Sequence, residues 1–356
     1  MKKEIRYRMA GGSVWLLAVW GVLAACSDNN IQLPLDNREQ DVLRVLSVGT
    51  GTPDTRSIMT TDSLNIAGKR IGVYMLAEDG TEYVPVRGGS NTSVYEYDGT
   101  NWNCTAADEN HLLRLPFATE ETVKATAFYP AVLIPHYSTS GNYVSGIHIL
   151  ASDDFAATKQ TDYLYAAYVT GLNTMNRSAA FTMKHALAKL TFKVYRTSVL
   201  DETKLVSLQI MDAGGGSNLQ AGSGKSMILE TGLLQGLVGQ SVIILVAAND
   251  SQKQNINLAG GSGETATASC LVAPAPSIEY LSFQLTTSQG TADSEQNFLT
   301  SSIKMVSASP VSNEYLRWKA GSHYVFTIVL DGMKAGVSDI QVCKWESDTD
   351  TFIPIS

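Results

Sequence analysis

The run at residues 181–195, Phe-Thr-Met-Lys-His-Ala-Leu-Ala-Lys-Leu-Thr-Phe-Lys-Val-Tyr, restricts the possible folds more than any other stretch of the chain. Its apolar residues alternate, first at odd positions (Phe181, Met183, Leu187) and then at even ones (Ala188, Leu190, Phe192, Val194). Side chains of a strand alternate faces with period 2, so a phase change means that the buried face switches inside the run. A chain leaving one β-sandwich for another behaves this way. Met183, Leu187, Leu190 and Val194 also fall at helical spacing. The β-branched and aromatic ending, with no N-cap and Glu pair ahead of the run, selects strand.

Elsewhere the pattern is one of short alternating segments between turn signals. They lie at 42–48, 71–76, 94–97, 122–129, 147–150, 162–169, 206–210, 242–247, 266–272, 278–285, 303–306, 324–330 and 337–345. Asp98-Gly99-Thr100-Asn101 marks a hairpin between 94–97 and Trp102, and the Gly-rich segment 214–224 reads as a loop. Many short strands without a long amphipathic helix indicate an all-β fold of sandwiches. At 356 residues the chain exceeds the size at which one core stops growing. The expected division is an amino-terminal sandwich at 41–180 and a carboxyl-terminal one at 181–356.

Ahead of these lies an address. Lys2, Lys3, Arg6 and Arg8 precede an apolar run at 9–25, too short to span a membrane and ending in small residues. This is the order of a secretory signal peptide, residues 1–25. Leu23-Ala24-Ala25-Cys26 resembles a bacterial lipobox, which makes Cys26 the acylated first residue of the mature protein, with palmitate among its acyl chains. Two or three acyl chains at ~0.8 kcal/mol per buried methylene anchor a protein durably. Residues 26–40 form a polar tether, and Ser27-Asp28 resembles the flank of lipoproteins that Bacteroidetes display on the outer-membrane surface. A net charge of −8 argues against nucleic acid as a partner.

No set of residues converges on chemistry. Gly224-Lys225-Ser226 lacks the required upstream Gly of a phosphate loop, since position 219 is Leu219. His111, His136, His148, His185 and His323 have no metal-ligand spacing, and His185 reads as a structural histidine. Asp108-Glu109, Asp153-Asp154 and Asp348-Thr349-Asp350 read as solvated loop acids. No enzyme activity, cofactor or metal is expected. Beyond Cys26, the cysteines are Cys104, Cys270 and Cys343, and the last two read as buried thiols rather than a disulfide. Tyr95, Tyr97, Trp102 and Trp318 could stack on sugars but read first as core aromatics. Arg56 follows a Gly- and Pro-containing breaker at 49–54, a setting accessible to proteases.

Several runs together resemble a known family. They are Ala127-Phe128-Tyr129-Pro130, Asp162-Tyr163-Leu164-Tyr165-Ala166, residues 181–194 with His185-Ala186-Leu187-Ala188-Lys189-Leu190, and Leu316-Arg317-Trp318-Lys319-Ala320-Gly321 with Tyr324. In order and spacing they are similar to the fimbrillins of Bacteroidetes, the Mfa-like and FimA-like subunits of type V pili. The resemblance implies two tandem transthyretin-like β-sandwiches. It also implies export as a lipoprotein and assembly with other fimbrial subunits, self or related, in a fimbrium that supports adhesion. In polymerising members an arginine-specific protease removes the first strand, and another subunit's carboxyl-terminal strand refills the groove. By position, that implies a removable strand at 42–48 and a cut between Arg56 and Ser57. It implies a donor strand at 337–345 carrying Val337, Ile340, Val342 and Trp345. Other roles consistent with the sequence are a fimbrial anchor or tip, and a monomeric surface lipoprotein that binds glycan or host protein.

Overall fold

The computed structural model describes residues 40–50, 61–85, 88–106, 108–117, 121–155, 160–197, 203–256, 267–289, 294–305, 317–345 and 351–353. The first half holds β1 (Arg44–Thr50), β2 (Arg70–Ala77), β3 (Thr92–Tyr97), β4 (Trp102–Cys104), β5 (Val123–Tyr129), β6 (Ile134–His136), β7 (Tyr143–Ile149), β8 (Ser152–Asp154), β9 (Leu164–Ala166), β10 (Val169–Leu172) and β11 (Ser178–His185). The second half opens with β12 (Ala188–Arg196), β13 (Thr203–Asp212), β14 (Leu219–Ile228), β15 (Leu234–Gln235), β16 (Val238–Gln240), β17 (Val242–Val246) and β18 (Gln254–Asn255). It ends with β19 (Ala268–Val272), β20 (Tyr280–Gln289), β21 (Ser294–Leu299), β22 (Ile303–Lys304), β23 (Ser322–Asp331), β24 (Lys334–Lys344) and β25 (Thr351–Ile353). Among the described residues, helix is limited to one turn, α1 (Thr61–Leu64), and two 3-10 turns. The expected all-β class is what the chain adopts.

Strands of the first half close on themselves. β5, β2, β3, β4, β1, β11 and β9 pair in that order, and β9 pairs back to β5. Leu43, Val45, Val48, Val73, Met75, Val123, Ala125, Phe181 and Met183 fill the ring. The β3–β4 hairpin turns where the sequence places it. Asp98 Oδ1 accepts the Thr100 and Asn101 amides at 2.7 Å each, and Gly99 takes φ +103°. Gly72 on β2 is needed for a different reason: a Cβ there would sit 2.2 Å from the Phe128 ring.

In the second half two sheets face each other. One is ordered β19, β12, β23, β24, β25 and the other β21, β20, β13, β17, β8. Phe192, Ile210, Leu245, Phe283, Phe326, Ile328 and Ile340 interdigitate between them. Each half contains one long parallel pair. β1 lies parallel to β11, and β12 lies parallel to β23 from Lys189 opposite His323 to Arg196 opposite Leu330.

The phase change marks a change of core. Ala179, Phe181 and Met183 point into the ring, Ala186 and Leu187 into a third cluster with Tyr163, Met227 and Trp345, and Ala188, Leu190, Phe192 and Val194 into the second-half core. The third cluster is covered by a sheet ordered β15, β14, β7, β6, which joins strands from both halves. β8, from the first half, also pairs parallel with β17 in the second.

Two sequence readings are corrected. Residues 219–224 are not loop but the start of β14, which pairs with β7, β15 and β16. Its Gly and Ser content weakens the strand signal, and the register shifts around Gly222 and Lys225 break the alternation that would have revealed it. Asp153 and Asp154 are not solvated, because β8 buries both against β17.

Candidate functional site

β1 is an inner strand, between β4 and β11. From Arg44 opposite Ser178 to Thr50 opposite Met183, β1 pairs with β11, and on its other side Val45 lies opposite Trp102 of β4. The alternation of Leu43, Val45 and Val48 buries these three side chains in the ring. The spacing from Val45 to Val48 is three rather than two. The ladder is shifted between Val45 and Ser47, so Leu46 is extruded as a β-bulge and is 66% exposed.

A clasp holds the start of this strand. Arg114 Nη1 donates to both Asp41 carboxylate oxygens, at 2.8 and 3.0 Å, with both side chains largely buried. The backbone joins in, with the Leu43 amide donating to the Leu113 carbonyl at 2.9 Å and the Leu115 amide to the Asp41 carbonyl at 2.7 Å. Tyr95 donates its hydroxyl to the Leu43 carbonyl at 2.8 Å, and burial pushes that phenol well above its ordinary pKa. Every contact named here comes from residues far away in sequence. We expect Arg114→Ala to cost about 2–3 kcal/mol, since it strands a buried carboxylate. Urea unfolding measures the loss, and amide exchange should show protection falling first at Leu43 to Val45. A loss below a few tenths of a kcal/mol would mean the clasp is decorative.

At the other end of the chain, β24 pairs antiparallel with β23, from Ser322 opposite Lys344 to Asp331 opposite Lys334. Among the described residues, only the three-residue β25 lies beyond it. Ile340 and Val342 are buried in the second-half core, and Val337 packs against it partly buried. Trp345, just past β24, is buried in the third cluster. Its ring stacks on His185, with centroids 4.1 Å apart and planes 8° from parallel. His185 Nδ1 donates to the Asp162 carboxylate at 2.9 Å, with both side chains fully buried. His185 is thus a structural histidine at the point where the chain changes core. Neither its Nε2 nor Trp345 Nε1 has a hydrogen-bond partner among the described residues.

The sequence-expected sites fall out as follows. Cys26, Arg56 and Ser57 lie outside the described residues, as do Asp348 and Asp350. Val337, Ile340, Val342 and Trp345 share one strand and its end, about as far along the chain from β1 as two segments can be. Tyr95, Trp102 and Trp318 are buried, and half-buried Tyr97 packs on Trp102, so these four are core aromatics rather than a sugar platform. Cys104 and Cys270 carry free thiols; Cys104 hydrogen-bonds Ser93, and burial together with Asp153 pushes the Cys270 thiol well up. Among the described residues no three His, Cys, Asp or Glu are placed to share a metal ion. The Asp41–Arg114 clasp and the bulge at Leu46 were not read from the sequence. A spaced Asp and Arg carry no local signal, and a bulge shows only as a broken alternation.

Comparison with known proteins places this architecture. Several solved structures share the fold. A candidate cell adhesion protein from Bacteroides uniformis aligns with a TM-score of 0.50 and 20% identity, over 86% of this chain and 98% of that one. A fimbrial protein from Bacteroides vulgatus aligns with a TM-score of 0.52 and 13% identity, over 86% and 99%. A candidate cell adhesion protein from Bacteroides ovatus gives 0.52 and 14%, over 86% and 99%. A search of curated proteins finds no match. The sequence profile described as fimbrillin-like matches residues 55–345, and the chain belongs to the fimbrillin-like family.

Proposed function

We propose that this protein is a structural, non-enzymatic subunit of a cell-surface fimbria that supports adhesion, assembled by protease-triggered strand exchange. The observation that carries the reading is the position of β1. It is the first strand among the described residues, it is paired on both sides, and it is followed by the segment that contains Arg56. Cutting after Arg56 would free it. Its departure opens a closed ring between β4 and β11, leaving backbone groups of β11 unpaired and uncovering the pocket of Leu43, Val45 and Val48. An exposed strand edge beside an apolar slot is a template for another chain's strand. Support for fimbrial assembly as such comes from the family and from the adhesion and fimbrial proteins that share the fold.

In this proposal the halves act as tandem transthyretin-like sandwiches, a division that the parallel pairs β1–β11 and β12–β23, one in each half, support. Export ends with lipid on Cys26 at the outer-membrane surface, and cleavage after Arg56 exchanges that anchor for a neighbouring subunit. The partners are other fimbrial subunits. The test is made on cells. Polymer sheared from the surface should begin at Ser57, and Arg56→Ala should abolish the high-mass ladders on gels. Surface material that keeps acylated Cys26 throughout, or ladders that persist unchanged in Arg56→Ala, would instead support an anchor or a monomeric binding lipoprotein.

A further inference from the structure

Resting on the reading that β1 is released, we propose that the ring has a fixed arc and a yielding arc, and that β1 lies in the yielding one, opening while the fixed arc stays folded on the second half. Side chains of a strand alternate between its faces, so each ring strand turns one face to the ring core and the other outward. In β2, Ile71, Val73 and Met75 point into the ring, whereas Tyr74 and Leu76 join the third cluster outside it. β5 does the same, with Val123, Ala125 and Ala127 inside and Phe128 outside. In β9, Leu164 and Ala166 are inside and Tyr165 packs outward. These strands are neighbours, since β9 pairs back to β5 and β5 pairs with β2.

The third cluster covers the outer face of that arc with Val144 and Ile147 of β7, Met227 of β14 and Trp345 at the end of β24. The cover is thus drawn from both halves. On the same face of β5, fully buried Thr126 donates its hydroxyl to the Ala166 carbonyl at 2.7 Å and ties β5 to β9. Lys124 holds its Nζ 5.1 Å from the centre of the Tyr168 ring, which packs on the cluster.

Across the ring the outer face is bare. It carries exposed Arg44, Leu46 and Ser47 on β1, exposed Ala180, Thr182 and Lys184 on β11, and exposed Asn103 on β4. Leu43, Val45 and Val48 hold β1 by its inner face, and the clasp at Asp41 pins its start. The ladders are uneven as well. Among the described residues β1 meets β4 at the one pair Val45 opposite Trp102. β2, by contrast, is laddered to β3 from Arg70 opposite Glu96 to Tyr74 opposite Thr92, and to β5 from Gly72 opposite Phe128 to Ala77 opposite Val123.

A strand buried on both faces and laddered on both sides opens only with the domain, while one held by a single face can open below the global unfolding free energy. β1 takes nothing from the third cluster when it leaves, so Tyr74, Leu76 and Phe128 keep their cover. Its place as an inner strand would by itself give β1 the same resistance as β2. The one-sided cover predicts a difference.

Native-state amide exchange of the intact, uncut chain, in urea below its unfolding transition, measures that difference. We expect amides at 44–50 to exchange about tenfold or more faster than those at 71–76 and 123–128, through an opening that leaves the latter protected. Leu76→Ala, which hollows the third cluster, should narrow the gap by about tenfold. Leu76→Val repeats the comparison with a smaller change and should narrow it less. Equal exchange around the ring, or a gap that neither variant narrows, would overturn the two arcs. Cutting after Arg56 reads the release separately. A gap with β1 still bound after the cut would sink release and leave the arcs standing, and departure of β1 from a ring of equal exchange would do the reverse.

Discussion

A chain beginning at Ser57 will be far less stable as a free monomer than the intact chain, and a peptide spanning residues 41–50 will restore it. Leu43, Val45 and Val48 are buried in the ring, and each side chain of that kind contributes ~2 kcal/mol on burial. Their loss, ~6 kcal/mol before any backbone term, is comparable to the ~5–15 kcal/mol that holds a typical domain together. Deletion also strands Asp41's partner Arg114 and leaves Tyr95 without the Leu43 carbonyl. The truncated monomer should unfold at much lower urea, bind a hydrophobic dye, and regain its midpoint on titration with the peptide. An unchanged midpoint with no response to peptide would show that β1 is dispensable to the ring.

Phe192→Ala should cost about 3–5 kcal/mol. Phe192 is fully buried between the two sheets of the second half. It meets Phe283 edge-on, with centroids 5.3 Å apart, and stacks on Phe326 at 5.6 Å; Phe283 and Phe326 meet at 5.0 Å. The three rings form one cluster with one member from each of β12, β20 and β23, so truncation opens a cavity that no single neighbour can fill. Urea unfolding measures the effect. A loss below about 1 kcal/mol would mean that the core closes over the gap more freely than its packing implies.

How much of this was legible beforehand depends on whether the signal is local. The switch of core at Ala186–Leu187 was readable because period-2 alternation is written in consecutive residues, and the hairpin at Asp98–Asn101 because an Asp side chain and a Gly set the turn. The first strand was visible as an apolar run. Its placement between β4 and β11 was not, because parallel pairing joins segments more than a hundred residues apart and leaves no mark in either. Nor was the clasp, in which Asp41 and Arg114 are ordinary surface types until the fold buries them together. β14 was hidden by its glycines. Asp153 and Asp154 misled because adjacent acids are usually solvated, whereas here β8 is drawn under β17 by pairing.

Arginine-specific cleavage of the purified full-length chain, followed by mass analysis and sizing, tests the central claim most directly. The account predicts one early cut after Arg56, departure of the fragment carrying β1, and conversion of the remainder, beginning at Ser57, into a regular ladder of oligomers. A chain that is cut after Arg56 yet keeps the β1 fragment bound and stays monomeric would contradict it.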